Sequence, residues 1–271
     1  LKHKTQVFIN PEGDHYVTRL THTLQVTQIG RSIARNLGLN EDLTEAICLA
    51  HDVGHSPFGH TGEDALSEFV EGEWLHSEQG VRIFEVLEPL NLTWETYDGI
   101  RAHSWKIDPP PQTPEGMLCR FADRIAYLTH DAEDATRAGV ITNADLPELP
   151  CRVLGEPGSG WIARMITAVV EESLATGELS MHPDVAVAMD VLRDFMFEKV
   201  YLRPENEAQR KRAIQIIRDL VDHFLEHPDG IPETFRHDDA DAVTQAIDYV
   251  AGMTDRYAIR EWVRVRGGDA G

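Results

Sequence analysis

Residues 41–63 read EDLTEAICLAHDVGHSPFGHTGE, and two kinds of chemistry meet in them. The first half is a helix: Asn40 sits at the N-cap position and Glu41 and Asp42 fill the first turn, where the helix dipole favours acids. Apolar residues then recur at helical spacing up to the end of the segment. From His51 to Glu63 the composition changes, with three histidines, two acids and three glycines in thirteen residues. His51 and Asp52 are consecutive, and consecutive helical residues diverge by about 100°. Both address one ion only where the helix ends or is distorted, and Gly54 supplies an ending. A divalent ion held by imidazole and carboxylate takes about four to six ligands, so this pair needs partners from elsewhere in the chain.

Working outward, the flanking sequence is helical as well. Leu20, Leu24, Ile29, Ile33 and Leu37 form an apolar stripe that Gly38 stops as a C-cap. SEQGVRIFEVLEPL predicts a helix ending near Pro89, and Met117, Phe121, Ile125 and Leu128 line one face of another from Pro114 to Ala138. Further helical periodicity runs near 161–176, 184–200, 206–226 and 239–264. The connectors IDPPPQTPEG (107–116), LPELPCRVLGEPGSG (146–160) and EHPDGIPE (226–233) are rich in Pro and Gly. The 146–160 segment reads as a surface loop inside one helical domain in preference to a hinge between lobes. With no alternating strand of useful length and no internal repeat, the expected class is all-α. The expected organisation is a core over 1–140 that carries the chemistry, with helices of 141–271 packed on the same domain.

Composition narrows the functions available. The 271 residues suit one large domain or two small ones, and 42% hydrophobic content suffices for a core. No apolar run approaches the ~20 residues of a membrane span, and no secretory leader is visible. Leu1 is not a methionine and LKHKTQVF reads like the middle of an element, so a segment upstream of Leu1 is expected. Cys48, Cys119 and Cys151 are scattered, which suits a reducing cytoplasm and no disulfide framework. A net charge of −21, from 46 acids against 25 Lys and Arg, disfavours nucleic acid as the main partner. A small anionic substrate stays compatible where a metal and a few arginines reverse the local field.

Two residues on other predicted helices can complete the ion site: His22 in RLTH and Asp123 in RFADRIAYLTHDAED. Taken alone, His22 reads as a surface or satisfied core histidine. Together with His51 and Asp52 they give two imidazoles and two carboxylates, a mixed set suited to Mn, Fe, Ni, Mg or Zn, held between converging helices. Asp123, Tyr127 and Asp131, spaced i, i+4 and i+8, share one helix face. Pro57, Gly59 and Gly62 are placed to turn the chain after the helix end and aim His60 back.

At this point the sequence resembles a known family, the HD-domain deoxynucleoside triphosphate triphosphohydrolases, of which bacterial dGTPases are members. KTQVFINPEGDHYVTRLTHTLQVTQIGRSIARNLGLNEDLTEAICLAHDVGHSPFGHTGEDAL and RFADRIAYLTHDAEDATRAG carry the resemblance, over most of residues 4–140. It implies an HD-domain multi-helix bundle with His22, His51, Asp52 and Asp123 as metal ligands. His60 and Glu63 match the family's catalytic His–acid pair, His55 a histidine that approaches the triphosphate, and His76 a residue supporting the pair. Arg19 resembles a phosphate-binding arginine, Tyr127 and Asp131 resemble deoxyribose contacts, and Gln6 is a weaker match for a sugar or base contact.

The implied reaction is hydrolysis of a deoxynucleoside triphosphate, dGTP first, at the α-phosphorus, releasing deoxynucleoside and intact triphosphate. A divalent metal, Mn, Mg or Fe ahead of Ni or Zn, acidifies water, and with Arg19 it offsets charge on the phosphoryl oxygens. His60, oriented by Glu63, protonates the leaving 5′-oxygen. Tyr127 beside C2′ crowds a 2′-hydroxyl, and Asp131 accepts a hydrogen bond from a 3′-hydroxyl. The family further implies a homo-oligomer, often a hexamer, and a dNTP activator at a second site.

Other readings remain open at this level. Nucleotidases, cyclic-nucleotide phosphodiesterases and guanosine tetraphosphate hydrolases share the H…HD…D pattern, though the last usually place acids where HDVGHSPFGH places histidines. A nucleotide-sensing regulatory protein on an inactive HD scaffold is the non-enzyme alternative. Neither HExxH nor GxxxxGK[ST] occurs, which argues against a zinc protease and a P-loop NTPase. Beyond Val140 no motif assigns base selection; Arg164, Lys199, Arg203, Arg210, Lys211 and Arg212 are basic residues expected on solvated faces.

Overall fold

The computed structural model describes residues 1–4, 17–238 and 240–268. Among these the regular structure is helical, with no β-strand and twelve α-helices. In chain order they are α1 (Arg19–Leu37), α2 (Glu41–Ala50), α3 (His60–Leu66), α4 (His76–Arg82), α5 (Trp94–Arg101) and α6 (Pro114–Arg137). They continue as α7 (Glu148–Leu154), α8 (Ser159–Thr176), α9 (Pro183–Met196), α10 (Glu207–Glu226), α11 (Ala242–Gly252) and α12 (Asp255–Gly268). The all-α expectation holds. Among the described residues no helix is long and apolar enough to cross a membrane, and Cys48, Cys119 and Cys151 are free thiols.

The helices form two compact units, one built on α1, α2 and α5–α9, the other on α3, α4 and α10–α12. In the first, α1, α2 and α6 pack around Val26, Ile33, Ile47, Leu118 and Ile125, all fully buried. Thr18 caps α1 by accepting from the Thr21 amide, and Gly38 ends it in the left-handed region. Asn40 caps α2, accepting from the amides of Asp42 and Leu43. Thr113 caps α6, with Pro114 in its first turn. Phe121, Ile125 and Leu128 are buried along α6 as their spacing predicts. The core of the second unit joins Phe58 and Leu66 to Ile217, Leu220 and Phe224 of α10 and Val250 of α11.

Several expectations need correction. Of the α1 stripe, Ile29 and Ile33 are buried, but Leu20 and Leu24 are exposed, and the first turns bury Arg19, His22, Thr23 and Val26 instead. A hydrophobic period misplaces a helix face whose buried residues are polar. Helix α4 is shorter than the sequence suggests and passes into a π turn at Ile83–Leu87; α9 does the same at Phe197–Tyr201. The single helix expected over 239–264 is two, because Met253 is extended and the Thr254 hydroxyl accepts from the Tyr257 amide as a new helix begins. The 146–160 segment contains α7, and α3 and α5 were not anticipated as helices.

Candidate active site

In the first unit, His22 on α1, His51 at the C-terminal cap of α2 and Asp123 on α6 converge. His22 Nε2 lies 3.0 Å and His51 Nε2 3.7 Å from the same oxygen, Asp123 Oδ1. One ligand atom from each lies within 4.8 Å of the other two. The His51 ring is fixed from behind: Nδ1 donates to the Cys48 carbonyl at 2.7 Å, so Nε2 presents its lone pair towards Asp123. Two oriented imidazoles and a carboxylate are the donor set a divalent ion takes. The site fits such an ion. Burial works to raise the Asp123 carboxyl, but the His22 hydrogen bond and the nearby His51 and His103 rings outweigh it and hold it below the usual carboxylate range.

His103, just past α5, is a residue the sequence did not reveal. It is buried, its Nδ1 donates to the Ile100 carbonyl at 2.7 Å, and its ring stands 5.0 Å from that of His51. A single histidine in RAHSW has no local pattern to mark it.

Tyr127 and Asp131 follow Asp123 along α6. Burial, aided by the Asp123 charge, pushes the Tyr127 phenol up to about 12, so it stays neutral. Asp131 is buried and accepts a hydrogen bond from Tyr201 Oη at 2.8 Å. Burial outweighs that bond and pushes its carboxyl up to about 7. Tyr201, at the end of the π turn after α9, is a second partner that sequence reading missed. Arg19, buried in the first turn of α1, stands one turn before His22. Gln6 lies outside the described residues.

The second unit gathers His55, His60, Glu63 and His76. After Ser56 and Pro57 the chain enters the left-handed region at Phe58 (φ 65°) and again at Gly59 (φ 58°). Among the described residues Phe58 is the non-glycine residue with a positive φ, a conformation that persists only when its surroundings enforce it. Here its side chain is in the core and its amide donates to Asp255 Oδ1 at 3.1 Å. The reversal places His60 as the first residue of α3. Glu63, one turn on, is buried and accepts from His60 Nδ1 at 2.7 Å. Its other oxygen accepts from both the backbone amide and Nδ1 of His76, each at 2.8 Å. Burial alone would raise the Glu63 carboxyl, but the His60 and His76 bonds prevail and hold it well below the usual range. The His60 side chain is 76% exposed against 8% for Glu63, so a buried anion orients an imidazole whose outer nitrogen reaches solvent.

His55 stacks on His76 with ring centroids 3.8 Å apart, and its Nε2 lies 3.1 Å from Asp52 Oδ1. Lys4 Nζ donates to the carbonyls of His55 and Ala251 and so ties this loop to α11. Gly54 has a steric role. A Cβ there would stand 1.9 Å from the His76 carbonyl oxygen and 2.3 Å from the Gly80 amide, so only glycine lets α4 seat His76. Of the expected metal quartet, then, His22, His51 and Asp123 come together in one unit, while Asp52 belongs to the other, beside His55.

Comparison with known proteins decides the family. A deoxyguanosinetriphosphate triphosphohydrolase-like protein of Caldanaerobacter subterraneus subsp. tengcongensis is 45% identical over 271 residues, covering 98% of this chain and 79% of its own. One from Clostridium perfringens is 40% identical over 278 residues, covering 98% and 81%.

The chain belongs to the deoxyguanosinetriphosphate triphosphohydrolase-like family of HD-domain proteins.

It is thus an HD-domain phosphohydrolase. The HD domain family matches residues 19–128, which run from Arg19 past Tyr127 and include His22, His51, Asp52, His55, His60, Glu63, His76 and Asp123. The phosphohydrolase-associated domain family matches residues 179–264. HD domains bind divalent metals, in keeping with the His22–His51–Asp123 donor set of this phosphohydrolase. A solved structure of a hypothetical protein from Aquifex aeolicus is similar at 20% identity and a TM-score of 0.49, over 90% of this chain and 58% of that one.

Proposed function

We propose that this phosphohydrolase cleaves deoxynucleoside triphosphates at the α-phosphorus, dGTP first, releasing deoxynucleoside and inorganic triphosphate. The observation that carries the reading is the pinned His51 ring, which with His22 addresses the single oxygen Asp123 Oδ1 in a protein of this family. Asp52 joins the ligand set on the strength of the motif, as the residue that follows His51 in the chain. The choice of dGTP follows the names of the Caldanaerobacter and Clostridium relatives.

A divalent ion, Mn, Mg or Fe, supplies water acidification and neutralises phosphoryl charge when bound. Arg19 adds a fixed positive charge for the phosphate oxygens, and His55 approaches the triphosphate. As the bond from the water oxygen to the α-phosphorus forms, the bond to the 5′-oxygen breaks. His60 gives that oxygen its proton from Nε2, with Nδ1 held by Glu63, and His76 keeps the Glu63 carboxylate in place. Tyr127 and Asp131 contact the deoxyribose, and Gln6 the sugar or base. A homo-oligomer and a dNTP activator complete the reading on family resemblance. Turnover of dGTP in ¹⁸O-water tests the attack: label in the released triphosphate supports it, whereas label in the deoxynucleoside refutes it.

A further inference from the structure

We propose that Asp190 is an internal rival to anionic ligands: its carboxylate bridges Arg124 on α6 and Arg193 on α9, and a polyphosphate displaces it from them. Arg124 Nη1 lies 3.4 Å and Arg193 Nη1 3.2 Å from the same oxygen, Asp190 Oδ1. Charge-assisted bonds from arginine to a carboxylate ordinarily run about 2.7–2.9 Å. This chain makes such bonds elsewhere: Arg82 holds Asp248 through Nε at 2.9 Å and Nη2 at 2.7 Å. The Asp190 bridge is loose by comparison, and its side chain is 51% exposed. Swinging that carboxylate into water costs little, as for other exposed ion pairs.

The two arginines are held by other contacts and stay in place when the carboxylate leaves. The Arg124 guanidinium lies 4.5 Å from the centre of the Trp105 ring. Trp105 is itself fixed to α6: its Nε1 donates to the Arg120 carbonyl at 3.2 Å, and its ring meets that of Phe121 edge-on at 5.3 Å. Arg193 is held by Asp194, which accepts from its Nε at 3.1 Å and its Nη2 at 2.9 Å. Both positive charges act on the Tyr127 phenol, favouring its ionised form against burial, so both lie near that ring. Arg124 Nε is buried and makes no hydrogen bond among the described residues, so Asp190 leaves this guanidinium incompletely satisfied. A phosphoryl group offers three oxygens to a guanidinium fork where Asp190 offers one. Two arginines against Asp190 and Asp194 make a neutral group, and displacing Asp190 leaves one net positive charge for the incoming anion. That this anion is the triphosphate of a substrate rests on the reaction proposed above; the displaceable bridge does not.

The test reads binding and needs no turnover. Inorganic triphosphate is titrated calorimetrically into the full chain at a fixed Mn(II) concentration. Asp190→Asn should bind it roughly 5-fold more tightly than the native chain, the upper end for one exposed ion pair, and with a steeper salt dependence. Asp190→Glu keeps the charge and should stay near native. In a chain that also carries Arg124→Gln and Arg193→Gln, Asp190→Asn should give no gain. Equal or weaker binding by Asp190→Asn overturns the proposal, as does a gain that survives the loss of both arginines, which would reflect net charge alone. Should the doubly substituted background lose its helical circular dichroism, Arg193→Gln alone replaces it; the gain should then shrink, and an undiminished gain overturns the bridge. The expected binding pattern in a chain that leaves dGTP intact would uphold the bridge and remove the proposed reaction. Hydrolysis of dGTP with no effect of Asp190→Asn on triphosphate binding would do the reverse.

Discussion

Tyr201 Oη donates a 2.8 Å hydrogen bond to Asp131 Oδ2 across 70 residues of sequence, joining the π turn after α9 to the α6 face that also carries Asp123 and Tyr127. The bond is not strong enough to keep Asp131 an ordinary carboxylate: burial raises it from 3.8 to about 7. A carboxyl that holds its proton more tightly when folded contributes full stability below about pH 4 and loses it as pH rises towards 7. Asp131→Asn cannot ionise. In melts without added metal, its melting temperature should fall less than that of the native chain between pH 5 and pH 8. At pH 8 it should stand above the native chain by several degrees, given about 2–4 °C per kcal/mol for a chain of this size. Parallel pH profiles would contradict the burial of a titrating Asp131.

His60 has its inner nitrogen on a buried anion and its side chain in solvent, so its substitution should affect chemistry and spare the fold. His60→Ala is expected to lose about 10²–10⁴-fold in kcat while keeping its stabilisation by Mn(II) in a thermal melt. Near-native turnover with Mn(II) bound would remove His60 from the acid role.

Tyr127 is a neutral, partly buried phenol one turn beyond Asp123, and on the proposed reading its ring lies beside C2′ and penalises a 2′-hydroxyl. Tyr127→Ala should therefore narrow the ratio of kcat/KM for dGTP over GTP by about 10-fold or more, the size of effect that one lost packing contact gives. An unchanged ratio, with both activities equally reduced, would make Tyr127 a packing residue.

Gly54 is held to glycine by backbone atoms that cannot step aside, the His76 carbonyl and the Gly80 amide. Gly54→Ala should cost about 3 kcal/mol or more, at or beyond the upper end for overpacking. Gly160→Ala, in α8 with nothing within 4 Å of the added Cβ, should be neutral or slightly stabilising. Equal melting temperatures for the two variants would show that α4 can move away from Gly54.

How much of this could be read beforehand depended on how local each signal is. Asn40, Gly38 and the Phe121–Ile125–Leu128 spacing act within one or two turns, and the helices they announce are present. The dense histidines of 51–63 likewise mark chemistry without reference to the rest of the chain. Leu20 and Leu24 misled because α1 buries Arg19, His22 and Thr23, and a hydrophobic stripe has no way to anticipate a polar buried face. His103 and Tyr201 gain their meaning only from partners distant in sequence, the His51 ring and the Asp131 carboxylate. The turn at Phe58 was legible as a Pro/Gly loop, but its left-handed phenylalanine depends on Asp255, 197 residues away.

The measurement that bears most directly on the function is product analysis of dGTP incubated with protein loaded separately with Mn(II), Mg(II) or Fe(II), alongside the other dNTPs, GTP and a phosphodiester. Deoxyguanosine and intact triphosphate in equal amounts, abolished by chelation and by Asp123→Asn, is the expected result. Release of pyrophosphate or orthophosphate, or cleavage of the diester in preference to dGTP, would contradict cleavage of the bond between the α-phosphorus and the 5′-oxygen.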